Sequence, residues 1–141
     1  MRGSIHHLDL TVQDPWASRN FYASVLGFLG YRLVDDHPRG FDLDLKTPEG
    51  FCSVGIVKAH DLDRPHDRYS PGLHHVAWTA ESRDDVDALH ALLLEIGAEI
   101  LDAPADYPRY GDPYYAVFFA DPDGLKLEFV YSPRAIDGSA S

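Results

Sequence analysis

The chain has 141 residues, 45% hydrophobic and 25% charged, values typical of one globular domain that exclude a disordered chain, a collagen or a coiled coil. Its 23 acidic residues outnumber 12 Lys and Arg, so we expect neither nucleic acid nor a membrane surface as a partner. No apolar run reaches the length of a membrane helix and the first residues lack a signal-peptide pattern, so we expect a cytoplasmic protein. Because Cys52 is the single cysteine, any metal must be held by histidines and carboxylates.

The first half of the chain predicts a strand, a helix and three strands. A strand at residues 5–12 is followed by a helix at about 14–26 and a strand at 30–34. The turn at 47–50 has Pro and Gly where tight turns favour them, and we expect a strand on each side of it. A polar linker at about 59–72 ends this half.

The second half repeats the first. Residues 73–80 resemble residues 5–12, and the later elements keep the same order: a helix at about 83–96, a strand at 97–101 and a turn at 121–124 between two strands. We therefore predict an α+β fold, a single domain of residues 1–141 built from two βαβββ modules at about 5–58 and 73–131.

Strand alternation predicts a metal site. The apolar side chains of each strand should pack under a helix, which leaves His7, His75 and Glu128 pointing away from the helices. Two imidazoles and one carboxylate suit a divalent metal with open coordination positions. A histidine in a strand is more often an ordinary packed or surface residue, but the repeat and the shared face favour ligands here. Counted from the turns, Glu128 corresponds to Val54, so a symmetrical four-ligand site is reduced to three.

Four segments also carry a family resemblance: residues 7–12 (HLDLTV), 20–28 (NFYASVLGF), 75–78 (HVAW) and 121–128 (DPDGLKLE). Over about residues 5–131 the chain resembles the vicinal oxygen chelate superfamily of glyoxalases, bleomycin resistance proteins and ring-cleaving dioxygenases. The resemblance implies a curled mixed sheet around a metal-binding cavity. It also implies that His7, His75 and Glu128 ligate one divalent ion (Fe, Mn, Zn or Ni).

The resemblance leaves the reaction open. Glyoxalase I members generally use a fourth ligand on the strand that holds Cys52, Val54 and Ile56 here, and none of these can serve. Fosfomycin-resistance transferases need a hydroxyl where Asp9 stands. Extradiol dioxygenases fit the three-ligand set best, so a dioxygenase is the first hypothesis. A metal-dependent lyase, isomerase or transferase, and a non-catalytic protein that sequesters a small molecule such as an antibiotic, are the alternatives.

Further side chains are predicted to surround the metal. Cys52, Val54 and Phe118 are candidate apolar contacts for the substrate. Asp44 corresponds to Phe118 when counted from the turns, so Asp44, together with Asp9, is a candidate proton acceptor, although a solvated acidic face explains both as simply.

Tyr114 and a loop at residues 106–112 complete the predicted site. Tyr114 points inward if its strand keeps the parity of Glu128, which makes it a third catalytic candidate. The loop carries Arg109 and Tyr110, which suit contacts to a ring or a carboxylate, and it suits a dimer contact equally well.

The expected partners are a small-molecule substrate and a second copy of the chain. We predict a homodimer, but the sequence leaves open whether the modules pair within one chain or across two. In a swapped dimer, His7 would come from one subunit and His75 with Glu128 from the other.

Overall fold

The computed structural model describes residues 1–134, and these contain eight strands and two helices in the predicted order. The elements are β1 (His7–Val12), α1 (Pro15–Phe28), β2 (Arg32–His37), β3 (Gly40–Thr47), β4 (Gly50–Lys58), β5 (His75–Thr79), α2 (Arg83–Glu95), β6 (Glu99–Asp106), β7 (Tyr115–Ala120) and β8 (Lys126–Tyr131). The α+β fold of two βαβββ modules is confirmed. Each module forms its own four-stranded mixed sheet, in the orders β1-β4-β3-β2 and β5-β8-β7-β6, and neither sheet is closed.

The chain divides into two compact units. Among the described residues, the first unit comprises Met1–Asp67 and the turn Asp121–Gly124, and the second comprises Arg68–Ala120 and residues 125–134. Among the described residues, neither helix is long and apolar enough to cross a membrane.

Both helices begin at side-chain caps. Asp14 Oδ1 accepts hydrogen bonds from the backbone N–H groups of Trp16 at 3.0 Å and Ala17 at 3.4 Å. Ser82 Oγ accepts from the N–H of Asp85 at 3.0 Å, so α2 begins in the same way. Each helix covers one face of its sheet with a buried apolar stripe: Phe21, Tyr22, Val25 and Leu26 in α1, and Val86, Leu89 and Leu93 in α2.

In the first unit, strand register fixes which side chains share the face away from α1. β1 runs parallel to β4 with His7 opposite Ser53 and Asp9 opposite Gly55. Paired residues point to the same side of a sheet, so His7 and Asp9 share this face with Ser53. On β3, Asp42 and Asp44 pair with Gly55 and Ser53 and lie on it as well.

The same register corrects the predicted positions of Cys52 and Val54. They alternate with Ser53 and therefore lie on the helix side of β4, not on the face of His7. Val54 is only 3% exposed, and the Cys52 sulfur lies 3.6 Å from the Tyr31 hydroxyl. Neither side chain lines the open face of this sheet.

The second unit has the equivalent register with one important difference. His75 pairs with Lys126, and Ala77 pairs with Glu128 on β8, which in turn pairs with Phe118 on β7. The counterpart of Glu128 is therefore Gly55, and the prediction of Val54 was wrong.

The error comes from the turns. Strand pairing resumes at once after the first turn, where Thr47 pairs with Gly50, but residues 121–125 separate Ala120 from its partner Lys126. Counting from the turns therefore slips the register. For the same reason the counterpart of Phe118 is Asp42 and not Asp44.

The turn at 121–124 contributes a buried polar contact to the first unit. Tyr22 Oη donates a hydrogen bond to Asp121 Oδ2 at 2.5 Å, and the two side chains are 0% and 3% exposed. Burial, followed by the charge of Asp121, raises the pKa of Tyr22 well above its ordinary value. The hydroxyl therefore stays protonated and satisfies a buried carboxylate.

Candidate functional site

A buried carboxylate lies at the centre of the second sheet's open face. Glu128 is 1% exposed, and a buried charge of this kind requires partners. His75 Nε2 lies 3.1 Å from Glu128 Oε1, and Tyr114 Oη donates a hydrogen bond to Oε2. Both carboxylate oxygens are thus engaged by side chains on neighbouring elements.

Tyr114 is held in place by the chain that precedes β7. Its carbonyl accepts a hydrogen bond from the N–H of Tyr107 at 2.8 Å, and its ring packs edge-on against Tyr110 at 5.4 Å between centroids. Burial and the hydrogen bond to Glu128 raise the pKa of Tyr114 above its ordinary value. The hydroxyl therefore acts as a proton donor to the carboxylate at neutral pH.

A cavity of about 470 Å³ opens beside this carboxylate within the second unit. Its lining combines aromatic rings with cationic and imidazole side chains: His74, His75, Arg109, Tyr110, Tyr114, Phe118, Lys126 and Glu128. Lys126 Nζ lies 4.6 Å from the centroid of the Phe118 ring, and Arg109 donates a hydrogen bond to Tyr110 Oη at 2.7 Å. The volume falls in the range of small-ligand pockets.

Each predicted histidine ligand is accompanied by its neighbour in sequence. His74 Nδ1 lies 2.7 Å from His75 Nδ1, and His6 Nδ1 lies 3.0 Å from His7 Nδ1. His6 and His74 are both exposed, each directly before the first residue of its strand. Desolvation and the nearby His75 lower the pKa of His74. In each pair one nitrogen donates and the other accepts, which limits the tautomers and orients the ring of the predicted ligand.

The open face of the first sheet has the opposite character. A cavity of about 550 Å³ is lined there by His7 together with four carboxylates: Asp9, Asp35, Asp42 and Asp44. His37 also lines this cavity, and its Nε2 lies 3.9 Å from Asp42 Oδ1. This face is acidic where the corresponding face of the second sheet carries Lys126 and Arg109.

The donor pair of the second unit fits a divalent metal ion. An imidazole nitrogen and a carboxylate oxygen converge at His75 and Glu128, and such mixed ligation suits Fe, Mn, Zn or Ni. Within residues 1–134 no three His, Cys, Asp or Glu side chains form a cluster that could hold a metal ion. His7 belongs to the first unit, so its place as the third ligand remains a prediction.

The other predicted site residues fall into two groups. Arg109, Tyr110, Tyr114 and Phe118 line the cavity beside Glu128, whereas Asp9 and Asp44 line the cavity beside His7. Their catalytic and binding roles remain predictions.

Lys126 and His74 were not among the predicted site residues. Lys126 lies two residues before Glu128 in β8, so strand alternation puts both on one face, but a search for metal ligands passes over a lysine. The signal that could have identified Lys126 is its place in β8. It is a cation on the same face as a predicted metal ligand, Glu128, and an apolar residue, Val130.

Comparison with known proteins agrees with the fold. The model of the Glyoxalase/Bleomycin resistance protein/Dioxygenase superfamily matches residues 4–129. The uncharacterized protein YqjT of Bacillus subtilis (strain 168) is 33% identical over 126 residues, which cover 89% of this chain and 97% of YqjT.

Solved structures show the same relationship. A candidate glyoxalase from Bacillus halodurans is 32% identical with a TM-score of 0.77, and the match covers 94% of this chain and 97% of that one. A glyoxalase/bleomycin resistance protein from Albidiferax ferrireducens T118 is 25% identical with a TM-score of 0.69. The match covers 92% of this chain and 98% of that one.

Proposed function

Because the chain belongs to the glyoxalase/bleomycin resistance protein/dioxygenase superfamily, we propose that it is an enzyme that requires one divalent metal ion. Its substrate is a small molecule with neighbouring oxygen atoms. His75 and Glu128 would hold the ion, with His7 as the third ligand. When bound, such an ion supplies positive charge that attracts neighbouring substrate oxygens and stabilises the negative charge that develops between them.

The observation that carries this proposal is the buried Glu128 carboxylate beside His75. A buried carboxylate is costly, and here it lies beside an imidazole at the edge of an open cavity rather than in a closed core. A protein that only sequesters a ligand has no need for such a pair. Tyr114 positions the carboxylate by donating to its second oxygen.

Among the reactions of the superfamily we place ring-cleaving dioxygenation first. The position that corresponds to Glu128 in the first module is Gly55, which has no side chain to act as a fourth ligand. Three protein ligands leave room for two substrate oxygens and for dioxygen. Tyr110, Tyr114 and Phe118 give the cavity the flat apolar surfaces that receive an aromatic ring.

A lyase, isomerase or transferase reaction is the second candidate, and one observation favours it. Tyr114 beside the Glu128 carboxylate is a hydroxyl that stays protonated, so it can donate a hydrogen bond to negative charge that develops on a substrate. Asp9 is a candidate base on the open face of the first sheet.

We also propose that the working form is a homodimer. Two observations support a homodimer: members of the superfamily often form dimers, and each unit has a sheet with one open face. Light scattering at micromolar concentration should give twice the mass of the chain, and a monomeric mass would contradict the proposal.

The experiment that tests the proposed function is oxygen uptake after anaerobic loading with Fe(II). Catechol is the first substrate to screen, and cleavage consumes one O₂ per ring with both oxygen atoms retained in the product. The matched control is E128Q, which keeps the shape of the side chain and removes its charge. Uptake by the wild type and none by E128Q supports a dioxygenase. Turnover of other substrates without oxygen uptake favours the second candidate, and metal-independent binding without any turnover contradicts the enzyme.

A further inference from the structure

The cavity beside Glu128 carries two cations without carboxylate partners. Among the described residues, the ion pairs involve Arg19, His37, His75 and Arg83, and neither Lys126 nor Arg109 takes part in one. Because neither charge is neutralised by an ion pair, both can attract an anion that enters the cavity.

Lys126 is positioned by the sheet and not by an acid. It pairs in register with His75, and its ammonium lies over the Phe118 ring at 4.6 Å from the centroid. The one carboxylate in the lining, Glu128, is engaged by His75 and by the Tyr114 hydroxyl. The Lys126 charge therefore remains available to a molecule in the cavity.

Arg109 adds a second cation at the same cavity. Its guanidinium lies 4.7 Å from the centroid of the Tyr110 ring and donates to the hydroxyl of that residue. Tyr110 itself stacks on Tyr107, with centroids 5.7 Å apart and planes 23° from parallel. The cavity thus presents two aromatic rings, Phe118 and Tyr110, each with a cation against it.

The first module shows that this charge is not a general property of the fold. The register position of Lys126 is occupied there by Ser53, and that of Phe118 by Asp42. Four carboxylates line that cavity, and no Lys or Arg is among its lining residues. The two faces therefore differ in the sign of charge they attract.

From this arrangement we infer that the cavity beside Glu128 binds a small aromatic carboxylate, with Lys126 and Arg109 as its anion site. A carboxylate matches the planar fork of an arginine and the point charge of a lysine, and the ring lies against Tyr110 and Phe118. The inference rests on the proposed function only in naming this molecule as the substrate.

Binding to the metal-free protein tests the anion site by itself. The probes are benzoate, the neutral benzamide and phenylphosphonate, each titrated by calorimetry. Benzoate should bind about tenfold more tightly than benzamide, the ratio expected for a charge-assisted hydrogen bond. Equal affinities for benzoate and benzamide, or no benzoate binding at millimolar concentration, would overturn the inference. Tighter binding of phenylphosphonate than of benzoate would show that the anion site prefers a phosphonate and would overturn the choice of a carboxylate.

Variants assign the effect to Lys126. K126M retains the stem over Phe118 and removes the charge, so it should weaken benzoate binding about tenfold and leave benzamide unchanged. K46M, which removes an exposed lysine outside the cavity, is the control with the same change in net charge. An equal loss of affinity for benzoate and benzamide in K126M would show that Lys126 has a structural role, and it would contradict the inference.

Oxygen uptake by the Fe(II)-loaded protein separates the two proposals. Protocatechuate, a catechol with a carboxylate, should be turned over with a higher kcat/KM than catechol, and K126M should remove the difference. Equal kcat/KM values would overturn the anion site and leave the dioxygenase standing. Benzoate binding that depends on Lys126, without oxygen uptake from any catechol, would support the anion site and overturn the dioxygenase.

Discussion

Gly55 occupies in the first sheet the register position that Glu128 occupies in the second, since Asp9 pairs with Gly55 as Ala77 pairs with Glu128. A Cβ at position 55 would lie 2.3 Å from Asp9 Oδ1 and 2.9 Å from Asp42 Oδ1. The Asp9 carboxylate therefore fills the space in which a side chain on β4 would begin. Each module thus has a carboxylate near this point, carried by β1 in one and by β8 in the other.

We expect Gly55→Ala to destabilise the protein by up to about 1.5 kcal/mol, because the new methyl group overlaps both carboxylates and their side chains have to rotate away. Urea unfolding followed by circular dichroism measures the change. In the Asp9→Ala background the closest contact is removed, so the cost of Gly55→Ala should fall below about 1 kcal/mol. An equal cost in both backgrounds would show that the Asp9 carboxylate is not the obstacle.

Tyr22→Phe should destabilise the protein by about 1.5–3 kcal/mol, since Asp121 loses a buried donor to a charged group. The free energy of unfolding in urea is the measurement. Tyr110→Phe removes a hydroxyl from a half-exposed side chain and should stay within about 0.5 kcal/mol of the wild type. Similar values for the two variants would contradict the role given to the Tyr22–Asp121 pair.

The ion pair of Arg83 with Asp106 predicts a pH dependence of stability. The hydrogen bond from Arg83 lowers the pKa of Asp106, so the pair stabilises the fold above the unfolded pKa of the carboxyl. This contribution is lost as the pH falls through the folded pKa. R83Q should therefore be less stable than the wild type at neutral pH and equal to it at about pH 2. Both groups are exposed, so the effect is small and screened by salt.

The control for this prediction is Arg32→Gln, which removes an exposed arginine that takes part in none of the ion pairs of the described residues. Its difference from the wild type should not change between neutral and acid pH. A difference between R83Q and the wild type that persists in acid would show that Arg83 acts through its stacking on Tyr115, 4.0 Å away, and not through Asp106.

Tyr114→Phe should weaken metal binding by about 10–100-fold, because the Glu128 carboxylate loses the donor that positions it. Titration of the metal-free protein with Mn(II) or Zn(II) measures the dissociation constant. Tyr110→Phe is the matched control, since its hydroxyl contacts Arg109 and not Glu128. An unchanged metal affinity in Tyr114→Phe would show that Tyr114 does not position Glu128 for metal binding.

The sequence was sufficient to predict the order of the helices and strands and, for most strands, which side chains lie on which face of the sheet. Alternation placed His7, His75 and Glu128 away from the helices because the apolar side chains that alternate with them have to be buried. The internal repeat also identified both helices, whose caps at Asp14 and Ser82 are local signals.

Correspondence between the modules was harder to predict, because it depends on where strand pairing resumes after each turn. Similar turn sequences led to Val54 as the counterpart of Glu128, but the register shows that it is Gly55. A slip of one residue transfers a side chain to the other face of the sheet, which is why Cys52 and Val54 were misplaced. Pairing is a long-range property that no local pattern encodes.

The central claim is that His75 and Glu128 hold a divalent metal ion together with His7. Its most direct test is the metal content of purified, Mn(II)-saturated and desalted protein, measured by elemental analysis. The wild type and the control His66→Ala, which removes an exposed histidine that lines neither cavity, should hold one ion per chain, whereas His7→Ala, His75→Ala and E128Q should hold none. One ion per chain in E128Q, folded as judged by circular dichroism, would contradict the account.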